Sequence, residues 1–93
     1  MPVGLLTLEI YIPDAHSLKD KRQVIRSLKD RLRSRFNVAV AELDYQDTWQ
    51  RSQIGVVSLS NNAVHLEQSL QAVFMEAENL LGRDLVDHNL EVL

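Results

Sequence analysis

The apolar residues of this chain switch repeatedly between a spacing of two and a spacing of three to four. That alternation limits the fold more than any single motif. Val3 to Ile12 places Leu6, Leu8, Ile10 and Ile12 on one side and Thr7, Glu9 and Tyr11 on the other, the pattern of a half-buried strand. From Leu18 the spacing becomes helical. Leu18, Ile25, Leu28, Leu32 and Phe36 recur on one face, which predicts an amphipathic helix from Leu18 to about Arg35. Ser17 is the expected N-cap, Asp20 completes a weak capping box, and Asn37 is expected to close the helix in a left-handed conformation.

Val38 to Tyr45 alternates again, with Ala39, Ala41 and Leu43 opposite Val40, Glu42 and Asp44. A polar connection from Gln46 to Gln53 precedes a third strand, Ile54 to Ser60. Asn61 or Asn62 then caps a second helix, whose stripe runs Ala63, Leu66, Leu70, Val73, Phe74, Ala77, Leu80 and Leu81 and which ends at Gly82. In the last strand, Leu85 to Val92, Val86, Leu90 and Val92 share one face with Asp87, Asn89 and Glu91 opposite. His88 alternates with the core side and reads as a buried histidine.

The resulting order, β-α-β-β-α-β, is the α+β ferredoxin-like plan: a four-stranded antiparallel sheet with two helices on one face. A chain of 93 residues is expected to form it as a single domain, 1–93. The uncovered face is expected to carry Thr7, Glu9, Tyr11, Glu42, Asp44, Asn89 and Glu91. Such an acidic face would repel phosphate, which argues against the base-stacking use that RNA-recognition sheets make of this fold.

Charge is divided unevenly along the chain. Residues 1–36 carry eight Lys/Arg and four Asp/Glu, a balance of +4, while residues 37–93 carry two and nine, a balance of −7. The net charge of −3 excludes indiscriminate coating of nucleic acid but allows one local basic surface. With zero cysteines, neither a disulfide framework nor a thiolate metal site is available, which fits a reducing cytoplasm. No signal peptide, membrane span or membrane association is expected.

Within the first helix Lys19, Arg22, Arg26, Lys29 and Arg33 form a continuous stripe beside the apolar one. Many such stripes are only solvated surface. Here, however, Lys19, Lys21 and Arg22 occupy the first turn, where the helix dipole opposes cations and where an anion is normally held. Lys19, Lys21, Arg22, Arg26, Lys29 and Arg33 are therefore the candidate phosphate-binding set. Topology brings the connections Pro13–Ser17, Gln46–Gln53 and Gly82–Asp84 to the same end of the sheet. His16, Trp49, Gln50 and Arg51 become candidates there for base stacking or partner contact, although Gln46, Asp47 and Gln50 are also suited to satisfying loop backbone. The three histidines lack metal-ligand spacing, the carboxylates form no acid–base pair, Ser17 has no evident activating base, and the chain has three glycines in all. No cofactor or catalytic activity is expected.

At Ser17-Leu18-Lys19-Asp20-Lys21-Arg22 and Asp44-Tyr45-Gln46-Asp47-Thr48-Trp49-Gln50-Arg51 the chain resembles the YlxP-like family of small bacterial proteins. Phe36-Asn37-Val38 and Gly55-Val56 extend the resemblance to nearly the whole length. It implies a ferredoxin-like fold and, from the usual gene neighbourhood of transcription termination, translation initiation and ribosome maturation, a role around RNA or the ribosome. It implies no reaction. Acylphosphatases and ACT-type regulatory domains share the element order. Their loops carry glycine, and in the acylphosphatases arginine, where Pro13-Asp14-Ala15-His16-Ser17 has neither.

The resulting expectation is a non-enzymatic RNA- or ribosome-associated module that binds backbone phosphates through the first helix. The alternative is a protein-interaction or homo-oligomerisation domain using the same helix and the Trp49 hairpin against an acidic surface, with the open sheet face as another place for self-pairing. A small anion at the helix start is a third reading.

Overall fold

A computed structural model describes residues 2–93. The elements run β1 (Val3–Tyr11), α1 (Leu18–Arg35), β2 (Ala39–Asp44), β3 (Arg51–Leu59), α2 (Ala63–Leu81), a short 3₁₀ turn (Gly82–Asp84) and β4 (Leu85–Val92). The strands form one antiparallel sheet in the order β2-β3-β1-β4, with both helices on one face. This is the ferredoxin-like arrangement the spacing predicts.

Local chemistry explains the helix boundaries. Ser17 accepts a hydrogen bond from the Asp20 amide, and Asp20 Oδ2 accepts one from the His16 amide, so two donors at the helix entrance are satisfied reciprocally. Asn62 caps α2 in the same way, accepting from the His65 amide. Gly82 takes a positive φ of 58° at the end of α2, a conformation open to a residue without Cβ. Asn37 does not play that part for α1: the cap is Phe36, in extended backbone, with its amide still bonded to the Leu32 carbonyl.

The core lies between the sheet and the helices. Leu6, Leu8 and Ile10 of β1 and Ile54 and Val56 of β3 meet Ile25, Leu28 and Leu32 of α1 and Leu66, Leu70, Val73 and Ala77 of α2, all buried. Each of these Leu, Ile and Val side chains contributes about 1.5–3 kcal/mol relative to exposure. Gly4 continues the helix-facing row of β1, and a Cβ there would collide with Leu70 and Leu66; its lack of a side chain sets the close approach of α2. Arg31 and Arg35 of α1 both reach Glu76 of α2, at 3.3 and 3.0 Å, and clasp the two helices.

Two bulges change which face residues occupy. The register of β2 on β3 slips between Glu42 and Asp44, and that of β4 on β1 slips between Glu9 and Ile10. Glu42 lies before the slip, in the row of Val40 and opposite Ile54, and so faces the helices, not the open side, whereas the slip sets Asp44 opposite Gln53. The slip in β4 leaves Val86 58% exposed, outside the inward-facing row expected of it. His88 does face the helix side, but on an edge strand it is exposed. It stacks on Phe74 with ring centroids 3.9 Å apart rather than sitting buried.

The largest departure is Lys21. It is 1% exposed, among the most buried side chains in the structure. Its ammonium sits between the carbonyls of Tyr45 (2.5 Å), Arg51 (3.2 Å) and Gln46 (3.4 Å) and the Glu42 carboxylate (3.1 Å). Ser52, also 1% exposed, donates its hydroxyl to the same Glu42 oxygen. Lys21 is therefore withdrawn from the solvent-facing cations, because all its donors are engaged inside the fold. Truncating one partner of such a buried pair leaves the other charge uncompensated. Lys21→Met is expected to lower unfolding stability by about 3–5 kcal/mol. Adding Glu42→Gln should recover part of that loss in a urea-denaturation double-mutant cycle; strictly additive losses would show that the two side chains are not coupled.

Candidate functional site

The basic stripe of α1 overhangs β2, an edge strand of the sheet. Between them runs an open groove of about 370 Å³ walled by Arg22, Arg26, Lys29 and Arg33, with Lys21, Ile25, Asp30 and Glu42 completing its lining. Arg22, Arg26 and Arg33 are exposed and Lys29 is half-buried. Lys19 is exposed in the first turn, outside the groove wall.

The ion pairs divide the helix cations into two groups. Among the described residues, the pairs involve Lys21, Arg31, Arg33 and Arg35. Arg33 meets Asp30 at 3.4 Å with both groups exposed, a pair of little energetic weight. Arg22, Arg26 and Lys29 have no carboxylate partner among the described residues. The two carboxylates of the lining, Glu42 and Asp30, are engaged by Lys21 and Arg33, so the three unpaired cations leave the wall with positive potential.

The turn between β2 and β3 abuts the upper end of this groove, because Lys21, next to Arg22 in the chain, grips its carbonyls. Tyr45 adopts a φ of 66°, uncommon for a bulky side chain. The conformation is held locally: the Tyr45 amide donates to Asp44 Oδ1, and its carbonyl accepts from Lys21 and from the Thr48 amide. Trp49 is 53% exposed on this turn, so it does not pack back over the sheet. The Arg51 guanidinium lies 4.4 Å from the centroid of the Tyr45 ring, and Tyr11, paired with Arg51 across the strands, is 44% exposed. This end of the molecule therefore presents Trp49, Tyr45, Arg51 and Tyr11 as neighbours on one turn and strand pair.

Gln50 and His16 have mainly architectural contacts. The Gln50 amide nitrogen donates to the Pro13 and Ala15 carbonyls, and its own carbonyl accepts from the Ile12 amide, tying the β1–α1 loop to the start of β3. Gln50 is thus removed from the free contact residues by its own hydrogen bonds. His16 is exposed, and its backbone amide takes part in the α1 cap. Tyr45 and Tyr11 are the members the spacing did not single out. Little in the sequence signals them: Tyr11 meets Arg51 only through the long-range pairing of β1 with β3, and Tyr45 lies in the turn before β3.

Among the described residues, no three His, Asp or Glu side chains are grouped to hold a metal ion, and no helix is long and apolar enough to cross a membrane.

Comparison with known proteins agrees with this architecture. The structure resembles a putative antibiotic biosynthesis monooxygenase from Bordetella bronchiseptica (TM-score 0.55, 15% identity, 100% of this chain and 96% of that one). It is equally similar to a de novo designed protein with a ferredoxin fold (TM-score 0.55, 7% identity, 100% and 83%). At these identities the likeness is one of fold. In sequence, the chain is 42% identical to the uncharacterized protein YlxP of Bacillus subtilis (strain 168), across 87% of this chain and 95% of that protein. Residues 3–89 match the model of the family described as a protein of unknown function, DUF503. The chain belongs to that DUF503 family.

Proposed function

We propose that this protein is a non-enzymatic RNA- or ribosome-associated module that holds a phosphate backbone in the groove between α1 and β2. The observation that supports this most is the set of exposed or half-exposed cations Arg22, Arg26 and Lys29, which share a groove wall and have no carboxylate partner among the described residues. From Arg22 to Arg33 the helix rises about 16 Å at ~1.5 Å per residue. That length is enough to follow a short run of backbone phosphates. Arginine suits the task, since its planar donors match phosphate oxygens two at a time.

Trp49 and the Tyr45–Arg51 pair lie on the turn that Lys21 ties to the start of α1, and they supply faces on which unpaired bases stack. The reading is therefore of a single-stranded or looped RNA segment: phosphates along α1, one or two bases at the turn. The Lys21 anchor serves this arrangement by keeping the turn in register with the helix.

Binding of labelled single-stranded RNA, followed by anisotropy at several salt concentrations, tests both halves. Arg22→Gln with Arg26→Gln is expected to weaken binding and to flatten the log–log salt slope by about 1.4, two phosphates at ~0.7 each. Trp49→Ala is expected to weaken binding by about 1–3 kcal/mol while leaving the slope unchanged, because it removes stacking and no charge. Affinity and slope unaltered by the double arginine variant, or no binding by the wild type at low salt, would overturn the reading in favour of an acidic protein partner.

A further inference from the structure

The open face of the sheet is not the acidic surface expected of it. In β2 the helix-facing row is Val40 and Glu42, so Ala39, Ala41 and Leu43 lie on the open face, and Leu43 covers Gly55: a Cβ added to Gly55 would be 2.7 Å from a Leu43 methyl. Leu43, Ala39, Ala41, Gly55, Val57 and Leu5 form a shallow depression whose surface is almost wholly apolar. Leu43 is 49%, Val57 39% and the adjoining Leu59 62% exposed. A block of apolar side chains of this kind on a sheet face marks an interaction surface.

Its position within the face indicates what covers it. The apolar block occupies β2, β3 and the lower part of β1, whereas the β4 column of the same face carries Asp87, Asn89 and Glu91, paired across from Glu9, Thr7 and Leu5. Acid on one border repels a phosphate polymer from the whole face. Beyond the opposite border, past β2, runs the basic wall of α1.

We infer that the apolar half of the open face binds a second copy of this chain, sheet against sheet, about a two-fold axis near β2 and β3. A two-fold interface must match itself. Stacking β4 on β4 would set the acidic columns against each other. An axis near β2 and β3 instead buries the two apolar blocks together and carries each acidic β4 column past the partner's β2 border, the side on which the partner's cations lie. The apolar block carries the contact; the cations at the β2 border favour this orientation over the β4-on-β4 one but are not needed for association, and dimerisation does not rest on RNA binding.

Sedimentation velocity on the full chain over a concentration series tests the inference, with far-UV circular dichroism to confirm folding. The wild type should reach twice the monomer mass as concentration rises and should keep it at high salt, since the contact is mainly apolar. Leu43→Asp and Val57→Asp, both at exposed positions, should shift the monomer–dimer midpoint at least tenfold upward. Should either lose its native spectrum, Leu59→Lys at the more exposed margin supplies the same measurement. Arg22→Gln with Arg26→Gln should still dimerise, which separates this result from failure of the RNA reading. A wild type that stays monomeric throughout, leaving the patch to a different partner, would overturn the inference. So would folded Leu43→Asp and Val57→Asp variants that associate like the wild type.

Discussion

One buried ammonium group organises this molecule. Lys21 enters the interior from the first turn of α1 and meets three main-chain carbonyls and a carboxylate that belong to β2, β3 and the turn between them. A lysine so enclosed carries a desolvation cost of several kcal/mol, which only a complete set of partners offsets. Completeness is what gives the contact its geometric authority, because all the oxygens must converge for it to form. The helix start, the hairpin tip and the β2 edge are thereby held in one relation. Helix packing alone would leave that relation looser, since apolar contacts are not directional.

How much of this was legible beforehand depends on the scale of the feature. The two helices and their caps follow from spacing and from Ser17 and Asn62, because caps and amphipathic stripes are local devices. The burial of Lys21 left a trace that a charge-based reading overlooks. Leu18, Lys21, Ile25, Leu28 and Leu32 are successive positions of a single stripe, and Lys21 fills what otherwise looks like a gap in it. The bulges could not be read at all. A one-residue slip at Leu43 or Val86 is decided by pairing with another strand, and it moves Val86 out of the inward row expected of it. Glu42 lies before the slip, in the same row as Val40, and was misassigned for a different reason: a carboxylate in an alternating strand reads as solvent-facing unless its buried partner, Lys21, is known. The extension of β3 back to Arg51 likewise comes from pairing with Tyr11, which a polar sequence does not advertise.

The same side-chain type thus performs different tasks on one helix. Lys21 is structural, Arg31 and Arg35 fasten α1 to α2 through Glu76, and Arg22, Arg26 and Lys29 face outward without carboxylate partners among the described residues. A count of positive charges treats these as one population. Only the partners separate them, and each role corresponds to a different side of the helix cylinder.

Both bulges fall in the border strands, β2 and β4, and none occurs between the central pair, β1 and β3. An edge strand displays a row of unsatisfied amides and carbonyls that another chain can extend without limit. A bulge near one end of each border, at Leu43 in β2 and Val86 in β4, twists and shortens the regular row that an incoming strand could extend. Growth by strand addition, the route to fibres, is thereby discouraged at both margins.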